Sequence, residues 1–204
     1  MLRPVTFLLA AFFWASAARA EAFDYYVLSL SWSPTYCLLH EGDRDQCTKG
    51  YGFVLHGLWP QYERGGYPEH CNSTAQLNEA ARKLGALTYP SPFLALHEWD
   101  AHGRCTDMSA LEYFRAADKA FTSVTIPREF EAPEKPLHLS IAALLDAFET
   151  ANPKIPRTGM LAVCKAGTLS EMRVCLDKDL NPRRCGARTS NTCRGGNVTV
   201  TPIR

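Results

Sequence analysis
The stretch FDYYVLSLSW (residues 23–32) alternates along its length and is rich in aromatic and β-branched side chains. That pattern predicts a strand, which Ser33-Pro34 ends. YGFVLHGLW (residues 51–59) reads as a second strand, with Tyr51, Phe53 and Leu55 on one face and Val54 and His56 on the other. Between residues 74 and 87, Leu77, Ala80, Ala81 and Leu84 fall at helical spacing. Pro92 suits the start of a helix that continues over 93–102 until Gly103. Ser109 and Glu112 form a capping box ahead of Leu111, Phe114 and Phe121, and Ser140 caps a helix over 141–150 closed by Asn152-Pro153. Residues 161–164 and 171–176 read as late strands, the second with Met172, Val174 and Leu176 alternating. Residues 126–136, with three prolines and several charges, read as a surface loop. Strands at both ends and helices between them predict an α+β fold, a central antiparallel sheet with packed helices, rather than regular βαβ winding.

A length of 204 residues fits one domain, and 46% hydrophobic with 21% charged residues excludes a disordered or collagen-like chain. Residues 1–20 carry Arg3, an apolar run over 5–15 broken by Thr6, and the small-x-small site Ala18-Arg19-Ala20. This is the plan of a secretory signal peptide, too short for a membrane span, and leaves residues 21–204 as one disulfide-stabilised domain off the membrane. Cleavage after Ala20 removes Arg3 and Arg19, and the net charge moves from +1 to −1. Export also decides how the eight cysteines read: none has C-x2-C spacing, so they predict four disulfides, with 105 connectivities open, in place of a zinc site.

Two segments are chemically unlike the rest. FVLHGLWPQ (residues 53–61) ends an apolar run on His56, behind which Gly57 lets the backbone turn. HEWDAHGRC (residues 97–105) is the other. At about 100° per residue, His97, Glu98 and His102 share one helix face while Trp99 and Asp100 point away. The zinc-protease pattern H-E-x-x-H does not fit, because the histidines are five apart. Two histidines and a glutamate suit RNA cleavage: one imidazole removes the 2′-hydroxyl proton, the oxygen attacks phosphorus, and the other imidazole protonates the departing 5′-oxygen. Trp59, Tyr62 and Tyr67 are placed in sequence to stack bases.

HGLWPQ and HEWDAHGRC, in that order and about forty residues apart, resemble the paired active-site motifs of the ribonuclease T2 family of secreted, acid-tolerant RNases. The resemblance extends to the opening strand followed by proline and Cys37, and to LAVC and EMRVC late in the chain. It implies His56 as general acid and His102 as general base. Glu98 would hold the phosphate and its transition state, His97 would bind phosphate, and Trp59 and Tyr67 would stack a base. The products would be 2′,3′-cyclic phosphates and then 3′-phosphates. The resemblance further implies a monomer acting on RNA and not DNA, without metal or other cofactor. It implies the pairings Cys37–Cys47, Cys71–Cys105, Cys164–Cys193 and Cys175–Cys185.

The family usually carries a lysine just before the second histidine of its HEW motif, where this chain has Ala101. A missing cation there is expected to cost ~10–1000-fold in rate. Arg104, one turn on, is the candidate substitute. Gln61 stands where the family often has an acidic residue for base recognition, so no base preference carries over. Two alternatives compete with the enzyme: a catalytically weakened RNA-binding or signalling relative of the same fold, supported by Ala101, and a cysteine-rich secreted binding module, against which His56, Glu98 and His102 argue. Asn72-Ser73-Thr74 and Asn197-Val198-Thr199 are glycosylation sequons, relevant only in a eukaryotic secretory pathway.

Overall fold
In a computed structural model, residues 23–203 are described, and the signal peptide expected over residues 1–20 lies outside them. Six strands form one sheet: β1 (Tyr25–Trp32), β2 (Phe53–Gln61), β3 (Leu137–Ser140), β4 (Met160–Lys165), β5 (Thr168–Leu176) and β6 (Asn197–Val200). The order is β2-β1-β5-β6-β3, with β4 also paired to β5. All pairings are antiparallel except one parallel bridge, Thr168 to Thr199. Six α-helices accompany it among the described residues: α1 (Ser33–Leu39), α2 (Arg44–Cys47), α3 (Glu79–Thr88), α4 (Pro92–Ala101), α5 (Ala110–Thr122) and α6 (Ile141–Ala151). The α+β architecture expected from the sequence is the one observed.

The sheet has two unlike faces. Leu28, Leu30, Leu55, Leu58, Met172 and Val174 bury one face against Ala95 and Trp99 of α4, Tyr113 and Phe114 of α5, and Leu144 and Phe148 of α6. Tyr113 fixes α5 to the edge strand by donating its hydroxyl to the Leu58 carbonyl at 3.1 Å. On the other face only a small cluster is buried, Tyr25, Val27, Leu161, Cys175 and Cys185, with Trp59 packed beside it. The polar part of that second face holds the site.

The helix starts follow the side-chain chemistry. Ser91 caps α4 by accepting from the Leu94 N–H, with Pro92 in the first turn. The Ser109–Glu112 capping box closes on α5, and Ser140 caps α6. One boundary differs: the helix expected over 74–87 begins at Glu79, because Asn78 caps it and the Ser73 carbonyl is bonded instead to Arg104. The 126–136 segment is more than a surface loop, since a short 3-10 turn buries Phe130 in a stack on Phe148 at 5.6 Å. The first strand ends at Ser33-Pro34 as expected, and the chain turns there into α1, where Pro34 sits in the first turn and loses no helical hydrogen bond.

Four disulfides join Cys37–Cys47, Cys71–Cys105, Cys164–Cys193 and Cys175–Cys185, and no described cysteine is free. Cys71–Cys105 closes the largest loop of the four, with a sequence separation of 34, and ties down the chain just beyond α4. Replacing both of its cysteines by serine is expected to remove about 2–5 kcal/mol of stability. Urea unfolding of the oxidised protein and the double variant checks this, and equal midpoints would contradict it.

Candidate active site
The site begins with an irregularity in β2. Across the ladder from β1, Ser29 faces Gly57 and Leu30 faces Leu55, so His56 has no partner and forms a β-bulge. Residues 56 and 59 are three apart and would point to opposite faces of a regular strand. The extra residue brings them to the same face, with ring centroids 5.0 Å apart and planes at 80°.

Gly57 does a different job from the turn expected of it. A Cβ at this position would stand 2.1 Å from Glu98 Oε2 and 2.2 Å from Trp59 Nε1. Only glycine leaves room for the α4 carboxylate to lie against the strand, where Glu98 Oε2 accepts the Trp59 indole N–H at 2.7 Å. The Glu98 side chain is 1% exposed, and its other oxygen lies 3.9 Å from His56 Nε2. Burial pushes the Glu98 carboxyl up to about 7, and the nearby Glu171 charge adds to this, while His56 and the indole N–H hold it down.

His102 caps the C-terminal end of α4, with its N–H donated to the Glu98 carbonyl and its backbone already outside helical geometry. Its ring stands 5.7 Å from Trp59 and 5.9 Å from Tyr67. Its buried Nδ1 has no hydrogen bond among the described residues. Burial, together with the like charges of His97, His56 and His70, lowers its pKa to about 4. His56 moves the opposite way. Burial disfavours its charged form, but the carboxylates of Glu171 and Glu98 outweigh burial and the repulsion of Arg173, and its pKa rises.

Trp59, Gln61, Tyr67, His102 and Arg173 line a cleft of about 420 Å³ that also takes in Arg188. The structure thus gathers His56, Glu98 and His102 around the Trp59 ring, at whose side the cleft opens between His102 and Tyr67, while His97 is exposed. Arg104 is occupied elsewhere: its Nε pairs with Asp100 at 3.0 Å and its Nη1 donates to the Ser73 carbonyl at 3.2 Å. Ala101 is 3% exposed, and its carbonyl accepts the His70 N–H at 2.8 Å.

The sequence reading passed over Glu171 and Arg173 of β5. Arg173 lies over the Trp59 ring, 4.9 Å from its centre, and pairs with Glu171 at 2.7 Å. Their signal was present: Met172, Val174 and Leu176 fill the core face, so the charged residues between them face the other side. Among the described residues, no group of three or more His, Cys, Asp or Glu is arranged to hold a metal ion, and no helix is long and apolar enough to cross a membrane.

The model of the ribonuclease T2 family matches residues 23–185. The chain belongs to this family. A ribonuclease from Aeromonas hydrophila is 49% identical over 105 residues, which cover 50% of this chain. The chain spans about half of that relative's own length, 48%. An RNase-related protein from Calystegia sepium has the same fold, with a TM-score of 0.73 at 20% identity over 90% of this chain and 100% of that one. RNase NT in complex with 5′-AMP matches with a TM-score of 0.61 at 22% identity, covering 89% of this chain and 100% of that one.

The buried Glu98 carboxylate gives a stability prediction. A folded-state pKa near 7, above the ordinary 4.5, means that the native state binds its proton more tightly than the unfolded chain does. Ionisation therefore costs stability as pH rises through this window. Glu98→Gln, which can still accept the Trp59 N–H, is expected to raise stability at pH 8 by about 1–3 kcal/mol. The gain should disappear at pH 4, where the carboxyl is protonated in both states. Urea midpoints at the two pH values check this, and an equal gain at both would contradict it.

Proposed function
We propose that the protein is an exported endoribonuclease that cleaves single-stranded RNA without a metal, through 2′,3′-cyclic phosphates to 3′-phosphate ends. The observation that carries this reading is the placement of two histidines beside the same indole, with ring centres 5.0 and 5.7 Å from Trp59, in surroundings that tune them oppositely. His102, held well below the usual imidazole range, is neutral in mild acid and accepts the 2′-hydroxyl proton. His56, held above it, is protonated and gives its proton to the departing 5′-oxygen. The new bond joins O2′ to phosphorus as the bond from phosphorus to O5′ breaks. Water then reverses the roles: His56 takes a proton from it as its oxygen bonds to phosphorus, the bond from phosphorus to O2′ breaks, and His102 returns a proton to O2′.

Glu98 suits a phosphate that gains negative charge in the transition state. Below its raised pKa it is a neutral acid, with Oε2 occupied by Trp59 and the other oxygen free to donate. His97, exposed next to Glu98 on α4, is a candidate phosphate contact. Trp59 and Tyr67 offer stacking surfaces worth roughly 1–3 kcal/mol per base. Arg173 supplies the fixed cation that Ala101 does not. DNA lacks the attacking hydroxyl and is not a substrate. Family membership and the named ribonuclease relative support this reading, as does the nucleotide held by RNase NT. Four disulfides support removal of residues 1–20 on export to the periplasm or the exterior, leaving residues 21–204 as the working monomer.

Ala101 favours a second reading, a catalytically weakened RNA-binding or signalling relative. One assay separates the two. Single-stranded RNA and DNA are incubated with the mature protein in excess chelator across pH 3.5–8. Cleavage of RNA alone is expected, with a bell-shaped profile rising near pH 4 as His102 loses its proton. His56→Ala and His102→Ala are each expected to lower the rate about 100–10,000-fold. No cleavage of RNA would leave the binding reading, and cleavage abolished by chelation would return a metal to the site. Arg173→Ala is expected to cost ~10–1000-fold in kcat/KM. A larger loss in Arg104→Ala would transfer the cation's role to Arg104.

A further inference from the structure
The charged residues of β5 lie on the floor beneath the bulge, and one of them faces the ring that the mechanism needs as an acid. Glu171 Oε1 stands 3.4 Å from His56 Nδ1. That nitrogen is buried and closes no aligned hydrogen bond, so the carboxylate meets it as an ion pair. The other oxygen is fully committed. Glu171 Oε2 accepts from the Ser29 hydroxyl at 3.0 Å and from Arg173 Nε at 2.7 Å, and pairs with Arg173 Nη2 at 2.7 Å. Ser29 is wholly buried, and Glu171 is 9% exposed. A carboxylate locked through one oxygen, with the second aimed at a buried ring nitrogen, is costly to maintain unless it serves that ring.

We propose that Glu171 is a positioning residue for the general acid, holding His56 through Nδ1 so that the proton delivered to the leaving 5′-oxygen is the one on Nε2. The inference rests on the two-histidine function proposed above. In the proton count, His56 enters with both nitrogens protonated. Nε2 loses its proton to the 5′-oxygen, and the neutral ring keeps Nδ1–H facing Glu171. Nε2 is the nitrogen turned towards the reacting side, 3.9 Å from Glu98 Oε1.

The groups that face His56 are Glu98 from α4, Glu171 and Arg173 from β5, and His102 just beyond α4. Of these, Arg173 repels its positive charge, His102 is neutral in mild acid, and Glu98 is itself driven towards neutrality by burial. Glu171 is the anion that persists: although burial opposes its charge, His56 and Arg173 hold its pKa down at about 2.

The experiment compares two substrates in wild type, Glu171→Gln and Arg173→Ala. One is a dinucleoside phosphate, whose leaving alkoxide needs a proton. The other is a uridine 3′-(4-nitrophenyl phosphate), whose leaving phenolate does not. Glu171→Gln is expected to lower kcat/KM on the dinucleotide at least tenfold while changing the nitrophenyl ester less than threefold. It should also move the alkaline limb of the dinucleotide profile to lower pH by about one unit or more and leave the acidic limb in place. Arg173→Ala, which removes a charge that both reactions use, is expected to slow both substrates.

Equal losses on the two substrates, or an unmoved alkaline limb, would overturn the proposal. A readout independent of the variant's folding is 15N NMR of the wild-type histidines, with His56 assigned through His56→Ala. A midpoint above 6.5, and a neutral form carrying its proton on Nδ1, supports the role of Glu171. A neutral form protonated on Nε2 overturns it. Absence of ribonuclease activity in wild type would defeat the underlying function, whereas an active enzyme with either contrary result would defeat this inference alone.

Discussion
A carboxylate pressed into the seam between a helix and an edge strand governs the design of this domain. Glu98 sits against the backbone of Gly57 with no room for a methyl group between them, and the Trp59 indole N–H meets it there. Placing a group of this kind out of water costs several kcal/mol unless its oxygens find partners. The surrounding elements keep those partners in position. The Ser91 cap fixes where α4 begins, and with it the turn on which Glu98 falls. The Cys71–Cys105 bond and the His70 N–H on the Ala101 carbonyl clamp the other end of the helix. Tyr113 pins α5 to the same strand from the core side. A helix one residue out of phase would carry Glu98 round by about 100° and leave the indole unpaired.

The same seam sorts four titratable groups into two opposed pairs. Of the carboxylates, Glu98 is driven up to about 7 by burial, while Glu171, though also buried, is drawn down to about 2 by His56 and Arg173. Of the imidazoles, His102 falls to about 4 and His56 rises. Each low member can thus be understood from its neighbours. Glu171 has two cations beside it, and His102 has burial and three other histidines set against its charge. Separation of this kind is what the proposed reaction requires, a competent acid and a competent base in the same pH interval.

The parts of the fold legible in the sequence were those decided locally. Alternation in β1 and β5, the Ser109–Glu112 box and the Ser140 cap are each settled within a few residues. The two short strands β3 and β6 were not seen, because four residues carry little periodicity and their pairing joins positions about sixty apart. The bulge at His56 escaped for a related reason. Strict alternation puts Trp59 on the face opposite His56, and only the register against β1 shows that one residue is looped out. Helical spacing over 74–78 misled because Leu77 is drawn to the core from a non-helical segment held by Arg104 and the Cys71 disulfide. The histidines and Glu98 were found by their unusual company. Glu171 and Arg173 were missed because the apolar parity of their strand was read and the charged parity was not.

Net charge can now be replaced by a local count. Take the five charged or titratable groups of the floor and roof: His56, Glu98, His102, Glu171 and Arg173. At pH 5, His56 and Arg173 are positive, Glu171 is negative, and Glu98 and His102 are neutral, which leaves one positive charge. Once both Glu98 and His56 have lost their protons, two carboxylates face one guanidinium and the same five groups carry one negative charge. A phosphodiester is an anion that gains charge as the attacking oxygen closes on it, so it is welcomed by the first arrangement and repelled by the second. The preference for acid that the proposed reaction implies would therefore have a different origin from the one a histidine-rich cleft suggests. It does not come from two imidazoles gaining protons, since the proposed reaction uses His102 as a neutral base. It comes from one imidazole and one buried carboxyl, and the carboxyl is buried because the strand beside it has a glycine where any other residue would have pushed it away.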